Sequence, residues 1–254
     1  MGFVARLVIA GTVLLLGLFL KQCYDLVKEL PVPEVDYLEY WGPGSRDRYD
    51  ENTKVKPFEL AYGKEVIDEL KGKLEKIPNL VEPLEGVNFE YGFNSKRLRQ
   101  ILQYWRSDYL ERWDERQKYL NQFPQFKTQI QGLDIHFIHV KPTVRNPKRI
   151  LPLLLLHGWP GSVREFYEMI PKLTTRSEEK EYVFEVIVPS LPGYGFSQAA
   201  SKQGLSAAKI AVIMRNLMMR LGFTKYYIHG GDWGAVVVNA MATFFQSEVL
   251  GKPH

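Results

Sequence analysis

The sequence predicts an α/β fold whose carboxy-terminal half is a parallel sheet covered by helices. Three observations carry this. Residues 150–158 (ILPLLLLHG), 182–189 (YVFEVIVP) and 225–230 (KYYIHG) are short, largely apolar runs of the kind found in strands buried on both faces. Segments with helical periodicity, 163–173, 205–221 and 234–245, alternate with them. Each strand ends in a glycine-rich turn: His157-Gly158-Trp159-Pro160-Gly161-Ser162, then Pro192-Gly193-Tyr194-Gly195-Phe196-Ser197, then Gly230-Gly231-Asp232-Trp233-Gly234.

Four segments precede or make up this fold: an anchor at 1–22, a collar at 23–57, a helical region at 58–124 and the α/β core at 125–254. Residues 7–20 (LVIAGTVLLLGLFL) contain one polar residue, Thr12. A helix over 4–20 would span about 25 Å at ~1.5 Å per residue, slightly short of a ~30 Å hydrocarbon core, and Arg6 and Lys21 could snorkel to close the gap. The run ends Leu-Phe-Leu-Lys-Gln-Cys, without the small residues that signal peptidase needs, so it reads as an uncleaved anchor. Arg6 stands before the run and Lys21 and Lys28 after it, which nearly ties the positive-inside count.

Residues 31–57 are rich in proline, glycine and charge and read as an extended collar rather than core. Val66, Leu70 and Leu74 then recur at i, i+4, i+8 and predict a helix that stops near Pro78. A second helix is predicted over 95–120, capped by Asn94 or Ser95, with Leu98, Leu102, Trp105, Tyr109 and Trp113 as a core-facing stripe. Its Lys and Arg residues read as a solvated face. Residues 126–130 and 133–140 alternate and flank Gln131-Gly132, which predicts a hairpin. In a strand, His136 and His139 fall on opposite faces; they are expected to be satisfied structural histidines and not ligands of one metal.

Composition narrows the function. The 33 Lys+Arg exceed the 29 Asp+Glu by only 4 in 254 residues, so there is no basic stripe and nucleic acid is not an expected partner. Fourteen Phe, 14 Tyr and 5 Trp supply enough apolar area for a core and exclude general disorder. The single cysteine, Cys23, excludes an intramolecular disulfide and, with the missing Asn-x-Ser/Thr sequon, fits a body facing the cytosol.

The last of the three turns carries the chemistry. Strand, G-x-D-x-G, helix is the nucleophile-elbow pattern with Asp232 in the position usually held by serine. The nucleophile type limits the reaction. Serine attacking an sp3 carbon would end in a stable ether, whereas aspartate forms an ester that water can cleave at the acyl carbon. Epoxides and alkyl halides are the candidate substrates. Ester cleavage needs fixed donors for an oxyanion, for which the backbone N–H groups of Trp233 and Trp159 are the candidates. Alone, the motif is equally well met by an N-capping aspartate; the ordered set of three turns favours the nucleophile. Gly193-Tyr194-Gly195 lacks the third glycine of a dinucleotide fingerprint and reads as a turn lining the pocket.

HGWPGS, PSLPGYGFS and GGDWG, in this order, together with the upstream QYWRSDYLERWDERQKYLNQFPQFKTQIQGLDIHFIHV, resemble the microsomal branch of the epoxide hydrolases, an α/β-hydrolase-fold family, and its insect juvenile hormone enzymes in particular. The resemblance implies attachment to the endoplasmic reticulum membrane, a cytosolic catalytic body, lipophilic epoxides as substrates and neither metal nor organic cofactor. It places the nucleophile on Asp232, the oxyanion donors on Trp159 and Trp233, and substrate contacts on His157, Tyr194 and Phe196.

In this fold an acid and a histidine follow the nucleophile on later strands. Here 22 residues follow Asp232, and the histidines are His136, His139, His157, His229 and His254, the last at an unheld terminus. The general base and acid, and the capping tyrosines of the family, are therefore expected to be absent from this chain. It reads as an amino-terminal portion with half of the sheet, impaired in turnover. A haloalkane hydrolase and an inactive membrane-bound lipid-binding or interaction module are the alternatives. Oligomeric state is not encoded.

Overall fold

The computed structural model describes residues 2–28, 33–76, 80–143, 149–175 and 181–251. The chain divides into two units, Met1–Val35 and Asp36–His254. The first contains helix α1, Phe3–Val27. Its 25 residues extend past Lys21 to a length of about 37 Å, so the expected shortfall against the hydrocarbon core disappears. Within it, Ile9–Leu26 is long and apolar enough to cross a membrane.

The second unit is built on one mixed sheet. Its strands are β1 (Lys56–Phe58), β2 (Gln125–Ile130), β3 (Leu133–Val140), β4 (Arg149–Leu156), β5 (Tyr182–Pro189), β6 (Tyr226–Gly230) and β7 (Val249–Gly251). They lie in the order β1-β2-β3-β5-β4-β6-β7. Strands β5, β4, β6 and β7 are parallel, while β1, β2 and β3 join antiparallel at one edge. The parallel prediction therefore holds for the half that carries the three turns, and the hairpin turns at Gln131-Gly132, both at positive φ. The short strands β1 and β7 have no periodicity of their own; pairing with a formed neighbour makes them strands.

Helices α2 (Lys64–Glu75), α3 (Ser95–Tyr104) and α4 (Trp113–Leu120) precede the hairpin. In α2 the buried residue is Ile67 while Val66 is exposed, so the inward stripe starts one position later than the sequence suggested. The single helix expected over 95–120 is broken. Asn94 caps α3 by accepting from the N–H groups of Lys96 and Arg97, but a π-helical turn at Trp105–Tyr109, closed by Leu110 N–H to the Trp105 carbonyl, separates α3 from α4. The extra residue rotates the stripe, and neither α3 nor α4 contains a buried residue; Leu110, between them, is the buried anchor. The stripe thus does not pack into the core as expected.

The collar also departs from expectation, because Tyr40 and Trp41 are buried and β1 joins the sheet. Trp41 accepts a place in the core at 3% exposure because its backbone pairs at both ends. Its N–H donates to Gln131 and its carbonyl accepts from Ser201.

Helix α5 (Ile170–Thr174) follows a 3-10 turn at Val163–Phe166, so the helix expected over 163–173 is two short pieces. Helix α6 (Ala207–Arg220) starts at its Ser206 cap and packs against α7 (Trp233–Phe244). Apolar side chains of β3, β4 and β5 (Ile138, Leu153, Leu155, Val186, Val188) pack on Val163, Phe166, Tyr167 and Ile170. Both histidines of β3 are satisfied. His136 bonds Ser190 Oγ at 2.9 Å and Gln125 Oε1 at 2.8 Å, and His139 bonds Glu185 at 2.7 Å.

Candidate active site

The parallel strands deliver two turns to one place. Strand β6 ends at Gly230 and α7 begins at Trp233, so the chain must reverse within two residues. Asp232 takes up this reversal at φ 51° and ψ −123°, a backbone state that costs a non-glycine residue about 1–3 kcal/mol. The flanking glycines of G-x-D-x-G make the reversal possible. A Cβ at Gly230 would run into the backbone of Gly234, and one at Gly234 into the Leu156 carbonyl of β4. Gly231 has open space around the same position, so the pattern's own two glycines are the ones the geometry requires.

The turn after β4 supplies the partner. The Trp159 backbone N–H donates to Asp232 Oδ1 at 2.7 Å, and the adjacent Trp233 N–H adds a favourable influence on the ionised carboxylate. These two donors hold the Asp232 carboxyl below its ordinary range, with desolvation opposing them weakly. A Cβ on Gly158 would overlap the Asp232 side chain, so only glycine lets the two turns approach this closely. The Trp159–Pro160 peptide is cis.

The carboxylate and both indoles face outward, Trp159 at 67% and Trp233 at 52% exposure. Such an arrangement leaves one carboxylate oxygen, Oδ1, bound to the fixed Trp159 N–H donor and the other able to attack an approaching carbon. His157, expected among substrate contacts, is instead wholly buried: Nδ1 lies 3.1 Å from the Gly158 carbonyl, and Nε2 accepts from Leu191 N–H at 3.1 Å. Burial pushes its pKa down. It therefore ties the two loops together from inside rather than facing a substrate. Tyr194 is half-buried with its ring on His157, 5.3 Å between centroids. Phe196, also half-buried, packs on Phe58 and His136. His254 lies outside the described residues. Sequence reasoning passed over Gly158 and Leu191. Gly158 was marked by its place directly before a donor residue, but Leu191 carried no signal, because its role rests on backbone alone.

Two stretches of the chain match known families. Residues 55–166 match the family described as epoxide hydrolase N terminus, and residues 152–251 match the alpha/beta hydrolase fold. The chain is 51% identical over 229 residues to juvenile hormone epoxide hydrolase 1 of Ctenocephalides felis, covering 90% of this chain and 48% of that protein. The crystal structure of juvenile hormone epoxide hydrolase from the silkworm Bombyx mori superimposes with a TM-score of 0.82 at 53% identity, over 86% of this chain and 57% of that one. The chain belongs to the microsomal epoxide hydrolase family. The Aspergillus niger epoxide hydrolase structure is similar at TM-score 0.69 and 31% identity, over 80% of this chain and 52% of that one. The chain spans about half the length of the curated relatives it matches. Within the family's α/β-hydrolase fold, the two turns around Asp232 and Trp159 lie inside the shared part.

Proposed function

We propose that the protein acts in the hydrolysis of lipophilic epoxides, juvenile hormone or xenobiotic, to vicinal diols through an ester on Asp232. The observation that carries this reading is the 2.7 Å bond from Trp159 N–H to Asp232 Oδ1. It divides the carboxylate between two tasks. The unbound oxygen attacks an epoxide carbon, the C–O bond of the ring breaks, and an acid delivers a proton to the departing oxygen. Oδ1 is then the ester carbonyl oxygen. When water adds to the acyl carbon, negative charge collects on Oδ1, where the Trp159 N–H already points; the Trp233 N–H, at the start of α7, is the second candidate donor. A base that takes the water's proton completes the cycle, and collapse of the intermediate releases the diol and restores the carboxylate.

Among the described histidines, His136 and His157 have both ring nitrogens engaged inside the core, and His139 is held by Glu185. None of these three is placed to activate water at Asp232, and the fourth described histidine, His229, lines an apolar cavity with Leu153, Leu155 and Phe184 that does not include Asp232. The 254-residue protein assayed alone is therefore expected to alkylate Asp232 and to turn over negligibly. Mass spectrometry of the Asp232 peptide after exposure to a lipophilic epoxide tests this. An adduct that is missing from D232N supports the reading; no adduct, or the same adduct in D232N, sinks it. Diol formed at many turnovers per chain would overturn the expected impairment.

Two exposed indoles beside the same carboxylate favour a second reading, a haloalkane hydrolase, since indole N–H groups suit a departing halide. Halide release from alkyl halides without reaction of epoxides would select it. We further propose that α1 anchors the protein as a single pass in the endoplasmic reticulum membrane with the body on the cytosolic side. The apolar helix and the microsomal family support this reading, and digestion of the body by protease added to intact microsomes tests it.

A further inference from the structure

The expected substrate contact at His157 is absent, and the bonds its ring does make point to a different task. The Gly158 carbonyl, 3.1 Å from Nδ1, and the Trp159 N–H, 2.7 Å from Asp232 Oδ1, belong to the same peptide unit. In a trans peptide the C=O and N–H point in opposite directions, so a group that fixes one also aims the other. The protonation of the ring follows from its partners. Leu191 N–H can only donate, so Nε2 is the bare nitrogen; the Gly158 carbonyl can only accept, so Nδ1 carries the hydrogen. The ring is fully buried, Leu191 is buried beside it, and Tyr194 closes its face.

We propose that His157 is a positioning residue whose Nδ1–H holds and polarises the single peptide unit that presents the Trp159 N–H to Asp232. Drawing electron density toward the Gly158 oxygen makes the N–H at the other end a stronger donor, as in any chain of hydrogen bonds. Leu191 N–H fixes the tautomer, so the loop after β5 sets the donor strength of the loop after β4. A protonated ring would set Nε2–H against Leu191 N–H, and burial keeps the ring neutral. Glu165 is the charged group that faces this histidine, and it acts in the opposite sense to burial. At Asp232 the influences are the two backbone donors against desolvation. The catalytic meaning of this arrangement rests on Asp232 being the nucleophile, but its test does not.

The test is the titration of Asp232 in the full chain in detergent micelles, followed by carbon NMR with labelled aspartate and assigned by the signal lost in D232N. In H157N the side-chain amide nitrogen occupies the position of Nδ1 and can still donate to Gly158. In H157Q the amide reaches instead to the position of Nε2. The Asp232 midpoint is expected to rise in H157Q and to stay near that of the unsubstituted protein in H157N. Equal midpoints in all three proteins would overturn the proposal, because a residue needed only for packing would not move the carboxyl in H157Q alone. Should H157Q not fold, nitrogen NMR of the unsubstituted His157 decides: hydrogen on Nδ1 is required, and hydrogen on Nε2 refutes the proposal. No part of this depends on epoxide turnover, so failure of the epoxide reading and failure of the positioning role are distinguishable.

Discussion

Gly158 has no side chain because Asp232 occupies the space where one would be. A Cβ at Gly158 would overlap the Asp232 carboxyl group, which accepts its hydrogen bond from the very next N–H, that of Trp159. The contact joins residues 74 positions apart through adjacent parallel strands, β4 and β6. Gly158→Ala is therefore expected to push the carboxylate off its donor. Misplacing a reacting group by about 1 Å costs on the order of 10²-fold in rate. Alkylation of Asp232 in G158A, measured by mass spectrometry against time, is expected to slow by about that factor; an unchanged rate would contradict the geometry.

Asp232 itself holds a backbone state suited to glycine, at a cost of about 1–3 kcal/mol. Asp232→Gly removes that strain and loses somewhat less than 1 kcal/mol to the greater freedom of the unfolded chain. The expected result is a folded protein that resists urea better, by about 1 kcal/mol, and forms no adduct. Lower stability in D232G would mean that the carboxylate's bond to Trp159 outweighs the strain.

His136 makes stability depend on pH. Its pKa is lowered from 6.5 to about 3, first by burial and then by Lys127. Between those values the unfolded chain binds a proton that the folded chain refuses, so stability falls as the pH drops from about 6.5 toward 3. The slope is at most about 1.4 kcal/mol per pH unit, on the order of 4–5 kcal/mol over the whole window. The depressed His157 adds a loss of the same sign. Urea unfolding at pH 7 and pH 5 measures the slope, and a flat profile would show that neither ring is buried as neutral imidazole.

Trp41 tests whether the collar is part of the core. At 3% exposure, Trp41→Ala is expected to cost about 3–5 kcal/mol through the cavity it leaves. Its indole Nε1 is buried without a hydrogen-bond partner among the described residues. Trp41→Phe removes that unpaired donor as well as some volume and is expected to cost at most about 1 kcal/mol. A collar that lies free of the core would give two variants as stable as the parent in thermal melts.

Much of this was legible in the residues. The hairpin at Gln131-Gly132, the strand at 182–189, the cap at Asn94, and the strand, G-x-D-x-G, helix order all follow from local periodicity and turn chemistry. These signals act within a few residues, so a sequence displays them. The break in the helix over 95–120 and the burial of Trp41 did not show, because each depends on what another segment places alongside.

The sequence alone determined which chemistry Asp232 could support: an aspartate at the elbow permits an ester that water can cleave, and one cysteine with a nearly even charge balance closes off other classes. How that aspartate is held was decided only by the tertiary structure. Residue type fixes what a side chain can do, but the Trp159 donor and the His157 ring work through backbone atoms brought together by strand pairing, and a sequence does not list distances between backbone atoms. For that reason His157 read as a substrate contact in the sequence and stands in the fold as an interior tie between two loops.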